Sequence, residues 1–215
     1  MAADPQTYDE LQSAIERWTD DSTLTATIPE LIALSERRLS RRLNSPEMEA
    51  STTLAITDGT ATLPTDALQI RAIFIDYDGR RVPLQVISQA DYDRSYNSDV
   101  TGRPIYYMVS GASINVLPLP DLTYTLGLRY KQSIPALSET VTTNWLLTKW
   151  PDLYLSHCLL TAADYGFEDA RLDWNTAKTE QLIKEINQAG SKLRYGDGPL
   201  VPTAPVGDFM PRARS

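Results

Sequence analysis

Residues 144–190, NWLLTKWPDLYLSHCLLTAADYGFEDARLDWNTAKTEQLIKEINQAG, constrain the fold more than any other stretch. They read as two helices in series. Pro151 suits a first helical position, where its missing N–H costs nothing, and Asp152 suits the positive helix end. Leu153, Tyr154, Leu155, Leu159, Leu160, Ala162 and Ala163 leave almost no polar stripe, so this helix should be buried on most sides. Gly166 offers a left-handed stop. In the second helix, about residues 168–189, Leu182, Ile183, Ile186 and Ala189 form one face. Lys178, Glu180, Gln181, Lys184 and Glu185 look outward, and Gly190 closes the helix. A buried helix followed by an amphipathic one needs partners, and the other clear helices lie at the N-terminus. The two ends are therefore expected to meet, with the middle looped out.

Those N-terminal helices carry their own signals. Thr7 and Glu10 have capping-box spacing, and Tyr8, Leu11, Ile15 and Trp18 follow on one face. Thr27 and Glu30 repeat the spacing, with Pro29 in the first turn. Ile28, Leu31, Ile32, Leu39 and Leu43 line one side of the second helix. Arg37 and Arg41 lie opposite, with Arg38 and Arg42 at the flanks.

From Met48 the period becomes alternating. Asp58-Gly59, Asp78-Gly79 and Ser110-Gly111 each separate short β-type runs and predict tight hairpins. Residues 88–99 predict a short helix and a loop. Leu122, Tyr124, Leu126, Leu128 and Tyr130 alternate as a long half-buried strand, and Pro118 and Pro120 mark an edge or strand end. The expected fold class is α+β. Residues 1–45 and 144–190 would form a helical bundle, 46–137 an inserted antiparallel β-domain of about six strands, and 191–215 an extended C-terminal arm. That arm is rich in Pro and Gly yet keeps Leu200, Val201, Val206, Phe209 and Met210, which suits a segment that orders against a partner.

Composition bears on partners. A net charge of -8 argues against broad nucleic-acid affinity, which rests on basic side chains neutralising phosphates. It is compatible with a passage through which DNA slides. The single cysteine, Cys158, allows no internal disulfide. The opening MAADPQTYDE has neither a basic nor an apolar signal region, and no run reaches the ~18 apolar residues of a membrane span. These features lead to the expectation of a soluble protein, assembled in a cytoplasm, that does not touch membrane.

Raw material for catalysis is thin. His157 is the only histidine. Its neighbour Cys158 does not face it, because consecutive helical residues point ~100° apart. His157 therefore reads as a core residue. Glu47 and Glu49 would share a strand face, but nothing apolar surrounds them to raise a pKa. Asp20 and Asp21 read as solvated caps, and Asp164, Glu168 and Asp169 as helix-junction acids. There is no Gly-rich phosphate loop, nucleophile elbow or Cys-x-x-Cys. The reading is of a non-enzyme with no cofactor and no metal. The Arg37, Arg38, Arg41 and Arg42 cluster is either a solvated helix face or an interface patch that meets acids of a neighbouring subunit or DNA in a channel, and the acidic total favours subunit contacts over DNA.

In order and spacing, the helix pair TYDELQSAIERW and IPELIALSERRLSRRL, the EMEA strand entrance, GRPIYYMVSGASINVLPLP, LTYTLGLRYKQSIPALS and residues 143–189 resemble a bacteriophage adaptor protein of the head-to-tail connector family. The resemblance implies a structural virion protein. It would form a ring, commonly of twelve copies, beneath the portal and join it to a tail, nozzle or terminator protein. It would sit in the neck between capsid and tail and form part of the DNA channel, with DNA only passing through the lumen. Similar adaptors send a C-terminal extension into the portal, a role that would fall here to Leu200, Val201, Phe209, Met210, Arg212 and Arg214. Alternatives are a head-completion or tail-terminator ring, a small glycan-cleaving enzyme using Glu47 or Glu49, or a host-glycan-binding module. The last would use Tyr92, Tyr96, Tyr106 and Tyr107, although Tyr106 and Tyr107 should point to opposite strand faces.

Overall fold

In a computed structural model of the chain, which describes residues 4–19, 24–164 and 172–195, helices from both chain ends share one apolar core. The N-terminal pair is α1 (Tyr8–Thr19) and α2 (Ile28–Arg42). Further along the chain follow α3 (Gln89–Ser95), α4 (Trp145–Lys149), α5 (Pro151–Asp164) and α6 (Leu172–Tyr195). Leu11, Ile15, Ile28, Ile32, Leu39 and Leu43 of the first pair meet Leu146, Leu147, Leu153, Tyr154, Cys158, Ile183 and Ile186. The α+β class and the meeting of the two ends are both as the sequence implies.

Local chemistry explains the helix starts. The Glu10 amide donates to Thr7 Oγ1 at 3.3 Å and the Thr7 amide donates back to Glu10 Oε2 at 3.2 Å, a reciprocal capping box. Thr27 does not repeat it: its hydroxyl donates to the Leu24 carbonyl at 2.8 Å and caps nothing. Pro29 in the first turn tolerates this, since it lacks one of the amide hydrogens a cap would satisfy. Asn144, which the sequence reading passed over, caps the short α4 by accepting from the Leu147 amide at 2.9 Å. Pro151 then opens α5 as expected.

Two features of α6 correct the sequence reading. Its buried stripe runs Asn175, Thr179, Ile183, Ile186 and Gly190, while Ala189 is exposed. Nor does the helix stop at Gly190, since it continues to Tyr195. Gly190 is there for proximity: a Cβ at this position would stand 2.9 Å from the Asn44 carbonyl oxygen and 3.0 Å from Pro46 Cδ. The extra turn carries Arg194 onto the Ser45 carbonyl (3.2 Å) and the Glu49 carboxylate (2.8 Å). An extended arm beginning at residue 191 is therefore incorrect for its first five residues. Gly166, Glu168, Asp169, Asp20 and Asp21 lie outside the described residues.

The middle of the chain holds ten short strands among the described residues rather than about six. β1 (Glu49–Ala55), β2 (Thr60–Thr62), β3 (Ala67–Tyr77), β4 (Arg80–Pro83) and β5 (Gln85–Val86) precede α3. β6 (Thr101–Gly102), β7 (Tyr106–Ser110), β8 (Ser113–Leu117), β9 (Leu119–Pro120) and β10 (Thr125–Gln132) follow it. One sheet has the antiparallel order β1-β10-β3-β4 and a second the order β2-β8-β7-β5. Two short pairings, β5 with β7 and β6 with β9, are parallel. The Asp78-Gly79 and Ser110-Gly111 hairpins form as predicted. At Asp58-Gly59 the turn forms, with φ of 49° and 75°, but only Thr57 and Thr60 bridge across it. Beyond them β1 joins β10 while β2 joins β8, so this turn carries the chain from one sheet to the other. Ala61, Ile114 and Val116 meet Ile73, Ile75, Leu126 and Leu128 in a second core between the sheets.

Leaving β10, the chain is stitched along α2. Lys131 Nζ donates to the Ser40 carbonyl (2.9 Å), the Ile134 amide to Ser40 Oγ (3.0 Å) and the Leu137 amide to Glu36 Oε1 (2.8 Å). Ile134 and Leu137 are buried in the helical core.

Candidate functional site

Four arginines of α2 follow its helical period on the side away from the core, and the structure divides them into two kinds. Arg38 Nη1 donates to Asp164 Oδ2 of α5 at 2.5 Å. Arg42 Nη2 donates to both carboxylate oxygens of Glu180 on α6, at 2.7 and 2.6 Å. These two tie α2 to the other helices of its own bundle. Arg37 and Arg41 are exposed and have no acidic partner among the described residues.

Two clefts flank this row. One, of about 530 Å³, is lined by Arg38, Arg41, Arg42, His157, Leu160, Asp164 and Thr176, where α2, α5 and α6 come together. The other, of about 420 Å³, lies between α2 and the segment after β10, and both Arg37 and Arg41 line it with Glu36, Ser40, Leu68 and Ile134. His157 is only 5% exposed and its Nδ1 has no hydrogen-bond partner. Burial, then the charges of Arg38 and Arg42, push its pKa down from 6.5 to about 4, so it is neutral at pH 7. Cys158 is wholly buried and its thiol is pushed up to about 12 by burial, so it offers no thiolate.

Beneath the arginines lies a buried polar chain that the sequence did not signal. Glu36 Oε1 accepts from Tyr154 Oη at 2.5 Å as well as from the Leu137 amide. Asn144 Nδ2 reaches Tyr154 Oη at 3.3 Å and the Pro135 carbonyl at 2.8 Å. Burial raises the Glu36 carboxyl above its usual 4.5, although the bonds from Tyr154 and Leu137 work against the rise. The network joins α2, α5 and the post-β10 segment through groups that would be costly to bury singly.

The two acids considered for catalysis are each engaged by basic side chains. Glu47 lies in the 3-10 turn Pro46–Met48, ahead of β1, and is bonded to Lys149 and Ser45. Partial burial acts upward on its pKa, but the Lys149 and Ser45 bonds outweigh it and the net shift is down. A general acid needs the opposite shift. Glu49 is bound by Arg194, with Arg71 Nε at 3.5 Å. The tyrosines form no continuous platform. Tyr92 and Tyr96 adjoin at 6.0 Å, whereas Tyr106 is exposed and Tyr107 packs on the sheet core. No three His, Cys, Asp or Glu side chains among the described residues are grouped to hold a metal, and no described helix is long and apolar enough to cross a membrane. Leu200, Val201, Phe209, Met210, Arg212 and Arg214 fall outside the described residues.

No curated protein matches the chain. The model of one protein family, described as the SU10 adaptor protein, matches residues 6–203, which takes in both halves of the helical bundle and every β-strand. With that match spanning nearly the whole chain, the protein belongs to the SU10 adaptor protein family of phage structural adaptors.

Proposed function

We propose that the chain is the subunit of a ring, commonly of twelve copies, that sits beneath the phage portal in the virion neck and connects it to a tail, nozzle or terminator protein. The single observation that carries this reading is the family match over residues 6–203. Packing supports it: helices from both ends close one core and leave an arginine row outside it. A ring built head to tail needs two different adhesive faces on each copy. Arg37, Arg38, Arg41 and Arg42 supply one face, and the outward side of α6, with Lys184 and Glu185, is suited to the other. The helical body (1–45 with 144–190, extended to 195), the β-insert (46–137) and the remaining C-terminal residues would serve as ring, outer module and anchor.

In this reading the protein breaks no bonds and takes no cofactor. The DNA passing through the ring needs a bore that does not hold phosphate, and the acidic balance of -8 suits that. Leu200, Val201, Phe209, Met210, Arg212 and Arg214 are the side chains proposed to enter pockets between portal subunits, where arginine and aromatic anchors contribute most to binding. The direct test is removal of residues 198–215. The truncated protein should fold and melt as the full chain does but fail to join DNA-filled heads. Normal attachment of tails by the truncated protein would refute the anchoring role.

A further inference from the structure

We propose that the cleft among α2, α5 and α6 is a receptor for one carboxylate side chain of a second copy of this chain, with Arg41 as its principal contact. This rests on the ring reading and names the chemistry of the contact. The cleft has a volume of about 530 Å³, and Arg38, Arg41 and Arg42 all line it. Arg38 is tethered through Nη1 to Asp164, and Arg42 through Nη2 to Glu180. Each tether fixes a guanidinium at the cleft wall and leaves its other N–H groups for a further acceptor. Arg41 lines the cleft beside them with no acidic partner among the described residues. Three guanidinium charges against two carboxylates leave one positive charge unmatched, on a chain whose overall charge is -8. The deficit fits one carboxylate.

A second observation is independent of the arginines. His157 lines the same cleft while only 5% exposed, and its Nδ1 is buried without a hydrogen-bond partner. A buried polar atom left unpaired is costly, and an incoming carboxylate oxygen would accept from Nδ1 in the tautomer that carries its proton there. Charge complementarity favours a second copy over a phosphate. Surplus acid is what this chain has to offer, including the exposed Glu30, Asp93, Asp99, Glu139 and Glu185, and a head-to-tail contact presents one copy's acid to the next copy's cleft.

The test replaces Arg41 with Glu, and separately with a photo-cross-linking residue, in the full-length chain assembled on portal-bearing particles. Arg41 holds no ion pair among the described residues, so Arg41→Glu should melt like the native protein while its occupancy on portals falls at least about tenfold, which is 1.4 kcal/mol. Cross-links from position 41 should join two copies and map to a peptide containing an exposed Asp or Glu. Raising the salt should weaken association of the native chain more than that of Arg41→Glu. Native rings forming alongside equally occupied Arg41→Glu rings would overturn the carboxylate receptor and leave the ring standing. So would cross-links that reach only portal or DNA, or saturable binding of inorganic phosphate that competes with assembly. A native chain that never forms rings would overturn both readings, and the two failures are therefore told apart.

Discussion

Two buried side chains show how single residues set the response of the helical bundle. Tyr154 donates to Glu36 at 2.5 Å from inside the core, where neither partner has water to fall back on. Tyr154→Phe should therefore lower unfolding stability by about 1–3 kcal/mol, read from the urea midpoint. An unchanged midpoint would show that the network contributes nothing net. His157 sets a pH response. Its folded pKa of about 4 lies below the 6.5 of a free histidine, so the unfolded chain binds the proton first as pH falls. Its effect on stability is absent above pH 6.5 and grows as pH drops toward 4, reaching about 3 kcal/mol. Glu36, with a raised pKa, acts in the opposite sense over the acid part of that window. The measurement is accordingly the difference between native and His157→Gln across pH 4–7, and it should widen on acidification in favour of the variant.

At the scale of elements, two glycines decide how closely neighbours approach. Alanine is favoured over glycine in a helix by about 1 kcal/mol, yet Gly190→Ala should destabilise, because its Cβ would stand 2.9 Å from the Asn44 backbone. Gly127 in β10 makes room for the Phe74 ring, where an added Cβ would fall 2.1 Å from Cε2. Gly127→Ala should cost about 1–3 kcal/mol by overpacking. A rise in thermal midpoint for either variant would contradict the packing described. These positions also mark where the sequence was legible and where it was not. Helices with dense apolar faces, the Thr7 capping box, and the Asp78-Gly79 and Ser110-Gly111 hairpins were readable because local chemistry alone determines them. The α6 stripe was obscured because Asn175, Thr179 and Gly190 are buried by contact with other segments, which a hydrophobic period does not register. The partners of β1 and β2 were hidden for the same reason, since pairing across sheets depends on residues far along the chain. Of the arginine row, the sequence located all four residues. It gave no sign that Arg38 and Arg42 are held by Asp164 and Glu180 while Arg37 and Arg41 are left facing outward.

At the scale of the molecule, helices from the two ends share one core and the inserted pair of sheets holds another, leaving outward faces suited to contact with others. The family match gives those faces a setting among other virion proteins. In the proposed ring, the charge of -8 and the need for DNA to move predict a bore lined mainly by acidic or neutral side chains. The most direct measurement of the central claim is an electron-microscopy reconstruction of the neck of the assembled particle. The account predicts a closed ring of this chain, twelve copies around, in contact with the portal through its C-terminal residues, with the α2 arginine row turned toward the adjacent copy. A neck without this protein, or a ring whose bore is lined by those arginines and whose C-termini point away from the portal, would contradict it.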